Sequence, residues 1–203
     1  MTHSEYLFMS VEDYLVLDNN SHDARYEYLD GEVRMLAGGS TYHSALISRL
    51  GAILENALAN GRCWTYNSDI RLELSESYYV YPDLSVSYDE SDHTLDNSIQ
   101  HPCMVVEVLS PGTEAIDTGE KLRAYLSHPT IQEYVIVDSL SIWIEVYHRE
   151  DDGWKFRTYG PNSIVKLEYL NIQFPVATLY RGMDLQATRR QTKRKRTNNQ
   201  ENI

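Results

Sequence analysis

The segment PCMVVEVLS, residues 102–110, most constrains the fold, because it places one carboxylate inside a short apolar run. Side chains alternate between the two faces of a strand, so Val105, Glu107 and Leu109 share one face. A strand that is apolar on both faces belongs in the middle of a sheet. A charge buried there is costly unless another group pairs with it. The sequence therefore predicts a central strand whose Glu107 faces either a simple ion-pair partner or a functional site.

The segments around this strand predict a mixed α/β (α+β) domain, with a central mixed sheet flanked by helices and added hairpins. Alternating apolar residues predict the strand IRLEL, and apolar segments predict further strands at YVYPDLSVSY and EYVIVD. Turn residues predict hairpins at Asp30-Gly31 and at EDDG, residues 150–153. Capping residues and apolar periodicity predict three helices: one after Ser10, one over 43–60, and one from about Thr118 that Asp117 caps.

Net charge divides the chain into an acidic body and a basic tail. The 203 residues carry a net charge of −12, but the segment from Leu185 onward holds six Lys or Arg and one Glu. That tail carries +5, so the rest of the chain carries −17. We therefore expect one domain over 1–184 and a disordered tail over 185–203. The acidic body excludes a general phosphate-binding surface, whereas the tail could be a non-specific DNA arm or a solvated end.

The sequence also gives an expectation about location. No apolar run approaches the roughly 18 residues that span a bilayer, and the first ten residues lack a basic start and an apolar core. Cys63 and Cys103 are far apart and suggest free thiols rather than a disulfide framework. We therefore expect a cytoplasmic protein without a membrane partner.

A second carboxylate, Asp83, follows Pro82 in the strand YVYPDLSVSY. Alternation places Asp83 and Ser85 on one face of that strand. If this strand neighbours the one that carries Glu107, the two acids lie side by side and repel each other. A divalent cation removes this repulsion, and paired carboxylates with water suit Mg²⁺ or Mn²⁺. Asp83 could also be only a cap at the entry to its strand.

Lys121 lies at the margin of the apolar stripe of the third predicted helix, one turn before Tyr125. From that helix it could reach a metal site formed by two acids on the sheet. There it could orient or deprotonate a water, or stabilise negative charge developing on a phosphate. It could equally be a solvated helix lysine, or a simple partner of Glu107 without catalysis.

Taken in order, these motifs resemble the PD-(D/E)xK nuclease superfamily and, more closely, the Uma2 family of putative restriction endonucleases. The resemblance covers about residues 8–180. It rests on these matches: YEYLDGEV (26–33), His43 at the opening of a helix, YPDLSV (81–86), VVEVLSPGT (105–113), Asp117, Lys121 and Tyr125, and EYVIVD (133–138). It implies a restriction-endonuclease-like core and a Mg²⁺-dependent endonuclease that hydrolyses DNA phosphodiester bonds. Members of the superfamily often dimerise, so a homodimer is also implied.

The resemblance also implies roles for the two acids and the lysine. Asp83 and Glu107, with the backbone carbonyl of Val108, would hold the cation, and Lys121 would orient the attacking water. Superfamily members usually place a lysine two positions after the second acid, where this chain has Leu109. Lys121 on the next helix is therefore the candidate for a migrated lysine.

Three further residues are candidates for the same site. Glu32, just after the predicted hairpin turn, is the candidate for an additional acid that holds a metal water. Glu27 is a similar but weaker candidate, and His43 is expected on the substrate side. Each could also have a purely structural role. The two acids could be surface acids that flank a turn, and His43 could bond the backbone at the start of its helix.

Two other functions stay open at this point. The acidic body and Leu109 favour a catalytically inactive nuclease fold that acts as a nucleic-acid or protein binding module. The remaining alternative is a structural protein in which Glu107 and Lys121 form only a buried salt bridge. Cation binding separates a metal site from the salt bridge, and cleavage separates an enzyme from the binding module.

Overall fold

The computed structural model describes residues 7–36 and 38–185, so nearly all of the tail predicted over 185–203 lies outside the described residues. Within them the chain forms five helices: α1 (Val11–Asn20), α2 (Thr41–Leu58), α3 (Glu114–Asp117), α4 (Glu120–Ser127) and α5 (Val176–Leu179). It also forms fourteen strands: β1 (Leu7–Phe8), β2 (Tyr26–Leu29), β3 (Glu32–Met35), β4 (Trp64–Asn67), β5 (Arg71–Ser75), β6 (Tyr78–Val80), β7 (Leu84–Ser87), β8 (Ser98–Ile99), β9 (Met104–Leu109), β10 (Glu133–Asp138), β11 (Ile144–Glu150), β12 (Gly153–Tyr159), β13 (Ile164–Leu167) and β14 (Ile172–Pro175). The predicted fold class, a mixed α+β domain with mixed sheets flanked by helices, is confirmed.

The central sheet has the strand order β12-β11-β10-β9-β7-β4. β9 and β10 are parallel, and the other neighbours in this sheet are antiparallel. Every residue of β9 is buried, as its apolar sequence predicts for an inner strand. Leu84 on β7 pairs with Val106 on β9 in antiparallel register. The adjacent residues, Asp83 and Glu107, therefore lie opposite each other.

One face of the central sheet is covered by α2, the β13–β14 hairpin and α5. Leu46, Leu50 and Leu54 recur every four residues along α2 and are fully buried against this face. The side chain of Ser40 accepts a hydrogen bond from the backbone N–H of His43, which caps the helix. This cap fixes the first turn of α2, which lies beside Asp83 at one end of the central sheet.

The other face is covered by α4 and by a second sheet with the strand order β1-β3-β2-β6-β5-β8. The predicted hairpin joins β2 to β3, and its turn residues Asp30 and Gly31 have φ of 48° and 97°. Leu29 of β2 packs with Val105 of β9 and Tyr125 of α4 in one buried cluster. The hairpin at Asp30-Gly31 therefore belongs to a second sheet, which packs against the face of β9 that carries Glu107, whereas the hairpin at 150–153 joins β11 to β12 of the central sheet.

The helix predicted from about Thr118 is α4, which begins at Glu120, and a short helix that the sequence did not predict, α3, precedes it, so Asp117 does not cap the predicted helix. Asp117 is the last residue of α3, and Gly119 is the residue that precedes α4. A Cβ atom at Gly119 would lie 2.6 Å from the carbonyl oxygen of Ala115, so the chain can turn this closely only with glycine there. The turn leaves the Asp117 carboxylate free of a capping role and aims it at Lys121.

The helices of the described residues can be compared with the length and apolar character that a membrane-spanning helix needs. The longest helix, α2, has 18 residues, and it carries polar side chains along its outer face. No helix among the described residues is both long enough and apolar enough to cross a bilayer.

Candidate active site

Asp83 and Glu107 lie side by side at one end of the central sheet. The backbone N–H of Asp83 donates to Oε2 of Glu107 over 3.4 Å, and the backbone N–H of Val108 donates to Oδ2 of Asp83 over 2.7 Å. These contacts follow from the antiparallel pairing of β7 and β9. The structure therefore brings together the two acids that alternation along their strands predicts as neighbours.

Lys121 is buried at the start of α4 and is surrounded by three carboxylates. Its Nζ lies 2.8 Å from Oε1 of Glu107, 2.8 Å from Oε1 of Glu27 and 3.4 Å from Oδ1 of Asp117. An ammonium group has three N–H donors, one for each of these acceptors. Lys121 is thus neither a solvated helix lysine nor a partner of Glu107 alone.

The pKa values of this cluster reflect its crowded negative charge. Burial alone lowers the pKa of Lys121, but the charges of Glu107, Glu27 and Asp117 outweigh burial and raise it well above its usual value. Burial raises the pKa of Glu107 well above its usual value, and Lys121 offsets this while Asp117, Asp83 and Glu27 add to it. Burial also raises the pKa of Asp117. Burial therefore favours the protonated forms of Glu107 and Asp117, and the neighbouring acids favour the protonated form of Lys121.

Two tyrosines behind the site bond to the side chain of Glu107 and to the backbone of Asp117. The hydroxyl of Tyr125 donates to Oε1 of Glu107 over 2.7 Å, and the hydroxyl of Tyr134 donates to the backbone carbonyl of Asp117 over 3.0 Å. The two rings pack with their centroids 4.9 Å apart. Tyr125 is fully buried, so its hydroxyl holds Glu107 in one orientation. The sequence places Tyr125 in the apolar stripe of its helix and among the matches to the family, but does not predict its contact with Glu107.

The hairpin acid that reaches Lys121 is Glu27, not Glu32. Glu32 lies next to the turn and its Oε2 is 2.6 Å from Nη2 of Arg34. Glu27 lies opposite Arg34 at the far end of the hairpin, and its Oε1 accepts a hydrogen bond from the backbone N–H of Tyr81 over 3.0 Å. The prediction that Glu32 joins the site as the additional acid is therefore wrong in position, because the hairpin presents its other end to α4.

His43 lies in the first turn of α2, next to Asp83. Its Nε2 lies 3.4 Å from Oδ2 of Asp83. The hydrogen bond with Asp83 raises the pKa of His43, burial opposes the rise, and a hydrogen bond with the backbone carbonyl of Val108 adds to it. A Cβ atom at Gly39 would overlap the imidazole, so this glycine provides the space that the ring occupies. His43 therefore faces two of the three oxygen groups predicted to hold a cation.

A cleft of about 730 Å³, which we call the acidic cleft, is lined by Asp83, Glu107, Lys121, Glu27, Asp117 and His43. It opens between the first turn of α2, the hairpin strand β2 and the start of α4. Its lining includes two permanent cations, Arg25 and Lys121, and six acids: Asp23, Glu27, Asp69, Asp83, Glu107 and Asp117. Arg25 lies at the rim, where it pairs with Asp69 over 3.0 Å and sits 5.6 Å from the ring centroid of Tyr81.

The donor set of the acidic cleft fits a hard divalent cation in charge and in chemistry. Among residues 7–36 and 38–185, no three His, Cys, Asp or Glu side chains are already grouped as a metal centre. Asp83 and Glu107 nevertheless offer two neighbouring carboxylates, and Mg²⁺ commonly uses one or two carboxylates and completes its shell with water. Burial, and to a smaller extent the neighbouring acids, raises the pKa values of Glu107 and Asp117, and a bound cation would favour their ionised forms.

Comparisons with known proteins agree with this architecture. The sequence profile of the family described as Uma2, putative restriction endonuclease, matches residues 11–177. An uncharacterized protein of Synechocystis sp. is 38% identical over 177 residues, which cover 86% of this chain and 93% of the relative. A second uncharacterized Synechocystis protein is 30% identical over 152 residues, which cover 72% of this chain and 85% of the relative.

A solved structure supports the fold in addition. The crystal structure of a putative nuclease belonging to DUF820 from Anabaena variabilis superposes with a TM-score of 0.71 and 18% sequence identity. The superposition covers 85% of this chain and 97% of the other. At this identity the likeness concerns the restriction-endonuclease-like fold. On the evidence of the profile match and the two relatives, the chain belongs to the Uma2 family of putative restriction endonucleases.

Proposed function

We propose that the protein is a metal-dependent endonuclease that hydrolyses DNA phosphodiester bonds in the acidic cleft. Asp83 and Glu107 hold Mg²⁺ or Mn²⁺ in this proposal. The observation that carries it is the contact between these two acids on neighbouring strands, beside a buried Lys121 that does not neutralise them. Family membership supports the nuclease assignment independently of the geometry.

The cation would lower the pKa of a water and offset the negative charge that develops on the phosphoryl group. Glu107 can face it through Oε2, because Oε1 is engaged by Lys121 and Tyr125. Asp83 is held for the same purpose by its bond from the backbone N–H of Val108. These hydrogen bonds preorganise both carboxylates before substrate binds, which limits reorganisation during the reaction.

Lys121 acts as a fixed positive charge rather than as a proton acceptor. Its pKa is raised well above its usual value, so it stays protonated, and a general base must be able to take up a proton. From its position between Glu107 and Glu27, it orients the acids and stabilises charge on a phosphate oxygen. His43, whose Nε2 faces Asp83 at the cleft wall, stands on the substrate side in the same proposal.

The second candidate is a nuclease fold that binds nucleic acid or protein without turnover. The engagement of Lys121 by three carboxylates favours it, because the lysine is then part of a stabilising ion cluster. The position two residues after Glu107, where the superfamily motif has lysine, is the buried Leu109. Only the first candidate predicts that nucleic acid is cleaved.

Incubation of the purified protein with single- and double-stranded DNA and RNA tests the two candidates. We expect cleavage of DNA with Mg²⁺ or Mn²⁺ and none with EDTA. The variants Asp83→Asn and Glu107→Gln should lose cleavage, whereas Glu90→Gln, at an acid that is mostly exposed, should retain it. Intact substrates under all metal and salt conditions, with nucleic-acid or protein binding preserved, would overturn the first candidate in favour of the second.

A further inference from the structure

One accessible cation stands among the acids of the acidic cleft. The described residues that line the cleft include two permanent cations, Lys121 and Arg25. The side chain of Lys121 is only 4% exposed, and three carboxylates hold its ammonium group. The side chain of Arg25 is 39% exposed. Arg25 is therefore the permanent cation of this lining that an incoming anion can reach.

The guanidinium of Arg25 lies over an aromatic ring that is itself fixed. It sits 5.6 Å from the ring centroid of Tyr81. The hydroxyl of Tyr81 donates to Oδ2 of Asp18 over 2.5 Å, and the same oxygen accepts from Nη1 of the buried Arg71 over 2.8 Å. Attraction to the face of a ring leaves the N–H donors of a guanidinium available for other partners. Tyr81 thus gives Arg25 a rigid platform in the cleft.

The acid that pairs with Arg25 is easily exchanged. Nη2 of Arg25 donates to Oδ1 of Asp69 over 3.0 Å, and the side chain of Asp69 is 69% exposed. Exposed ion pairs contribute little to stability, because water solvates both partners. A phosphate accepts two parallel hydrogen bonds from a guanidinium, and these charge-assisted bonds are stronger than neutral ones. A phosphate can therefore replace Asp69 at little cost.

Tyr81 also connects this arginine to the proposed cation site. Two residues separate Tyr81 from Asp83 along the chain, so their Cα atoms are at most about 7 Å apart, and both residues line the cleft. The backbone N–H of Tyr81 donates to Oε1 of Glu27, which contacts Lys121. A DNA strand with one phosphate at the cation site can therefore present a neighbouring phosphate to Arg25 at the rim.

We propose that Arg25 binds a phosphate of the DNA backbone next to the phosphate that is attacked. The proposal rests on the proposed function for the identity of the substrate. The six acids of the cleft repel a polyanion, and a guanidinium at the rim offsets this repulsion where the strand enters. Asp69 orients Arg25 in the free protein and releases it to the phosphate. The alternative is a structural brace, in which Arg25 only joins the start of β2 to the turn before β5.

Fluorescence anisotropy with a labelled DNA duplex of about 20 base pairs tests the proposal by binding alone. The titrations contain Ca²⁺, which takes the same hard oxygen ligands as Mg²⁺. At about 0.1 M salt, loss of one phosphate contact weakens binding by about eightfold and makes the slope of log K against log salt shallower by about 0.9. We expect both changes in Arg25→Gln. The matched control, Arg62→Gln, removes the same charge from an exposed pair with Glu90, and neither residue lines the cleft, so it should bind like wild type.

Substitution of Asp69 tests the exchange in the opposite direction. Asp69→Asn removes the competitor for the guanidinium and should strengthen duplex binding. The gain should shrink when Arg25→Gln is added, because no arginine is left to release. Glu90→Gln, the matched control, should leave binding unchanged. A structural brace predicts instead that Arg25→Gln and Asp69→Asn lower the free energy of unfolding alike and keep the wild-type salt slope.

Three results would overturn the proposal. These are equal affinity and salt slope in Arg25→Gln and Arg62→Gln, absence of duplex binding by wild type, and a gain from Asp69→Asn that is undiminished when Arg25 is absent. The two proposals fail separately. Binding that depends on Arg25 without any cleavage contradicts only the nuclease, and cleavage with wild-type binding by Arg25→Gln contradicts only the role of Arg25.

Discussion

Nζ of Lys121 lies 2.8 Å from Oε1 of Glu107, and the two side chains are only 4% and 5% exposed. The carboxylate whose presence in an apolar strand constrains the fold therefore faces a lysine. The pair is not isolated, because Glu27 and Asp117 share the same ammonium group. This sharing leaves carboxylate charge beside Asp83 that the lysine does not neutralise, and that charge is the physical basis of the proposed cation site.

Removal of the lysine should be severely destabilising. Lys121→Met leaves three buried carboxylates without their shared cation, and breaking a buried ion pair from one side costs about 3–5 kcal/mol. Urea unfolding in EDTA measures this loss. The double variant Lys121→Met with Glu107→Gln should recover part of it, because one uncompensated charge is gone. A loss below about 1 kcal/mol in the single variant, as at exposed ion pairs, would contradict the described cluster.

Substitution of Glu27 should reduce the stability of the protein much more than substitution of Glu32 on the same β2–β3 hairpin. Glu27→Gln removes a charge that faces Lys121 at 2.8 Å and should cost about 1–3 kcal/mol of unfolding free energy. Glu32→Gln, its matched control on the same hairpin, should cost less than about 1 kcal/mol, because its pair with Arg34 is partly exposed. Nuclease assays of both variants should show the same order. Equal effects of the two changes would contradict the placement of Glu27 at the site.

The raised pKa of Asp117 gives a pH dependence with a definite sign. Between the usual carboxyl pKa and the raised value, the folded state binds more protons than the unfolded state, so this group makes stability fall as pH rises. Asp117→Asn removes that contribution. The stability of the variant relative to wild type should therefore increase from pH 4 to pH 7.5 in EDTA. A relative stability that decreases over the same range, measured by urea unfolding, would refute the described environment of Asp117.

Two adjacent glycines offer a test of the position of His43. A Cβ at Gly39 overlaps the imidazole, whereas a Cβ at Gly38 meets nothing within 4 Å. Gly39→Ala should displace the ring from Asp83 and move the pKa of His43 toward its usual value, because the hydrogen bond with Asp83 is the largest cause of its rise. Gly38→Ala should leave the pKa unchanged. NMR titration of the ring protons measures both, and equal pKa values in the two variants would contradict the contact.

Much of the site follows from local rules in the sequence. Alternation along two strands predicts that Asp83 and Glu107 share a face, and their adjacency then needs only the pairing of β7 with β9. Helical spacing places Lys121 at the margin of a buried stripe. These predictions succeed because each depends on side-chain direction within one element. The fold class follows for the same reason, from the order of helices and strands.

The remaining site residues depend on contacts between distant elements. Glu27 and Glu32 share one face of their hairpin, so alternation cannot distinguish them, and the packing of the second sheet decides which one meets α4. Asp117 reaches the cluster only because the chain turns at Gly119. A glycine two residues after a predicted cap is a signal that could have revealed this break. The formation of a separate second sheet likewise depends on long-range strand pairing.

Calorimetric titration of Mg²⁺ and Mn²⁺ into the purified protein tests the central claim, that Asp83 and Glu107 hold a divalent cation together. The variants are Asp83→Ala and Glu107→Ala, with Glu90→Ala as an acid outside the cleft. We predict that wild type and Glu90→Ala bind the cation and that the other two variants lose this binding. Wild-type protein that binds neither cation, or binding that survives removal of either carboxylate, would contradict the account.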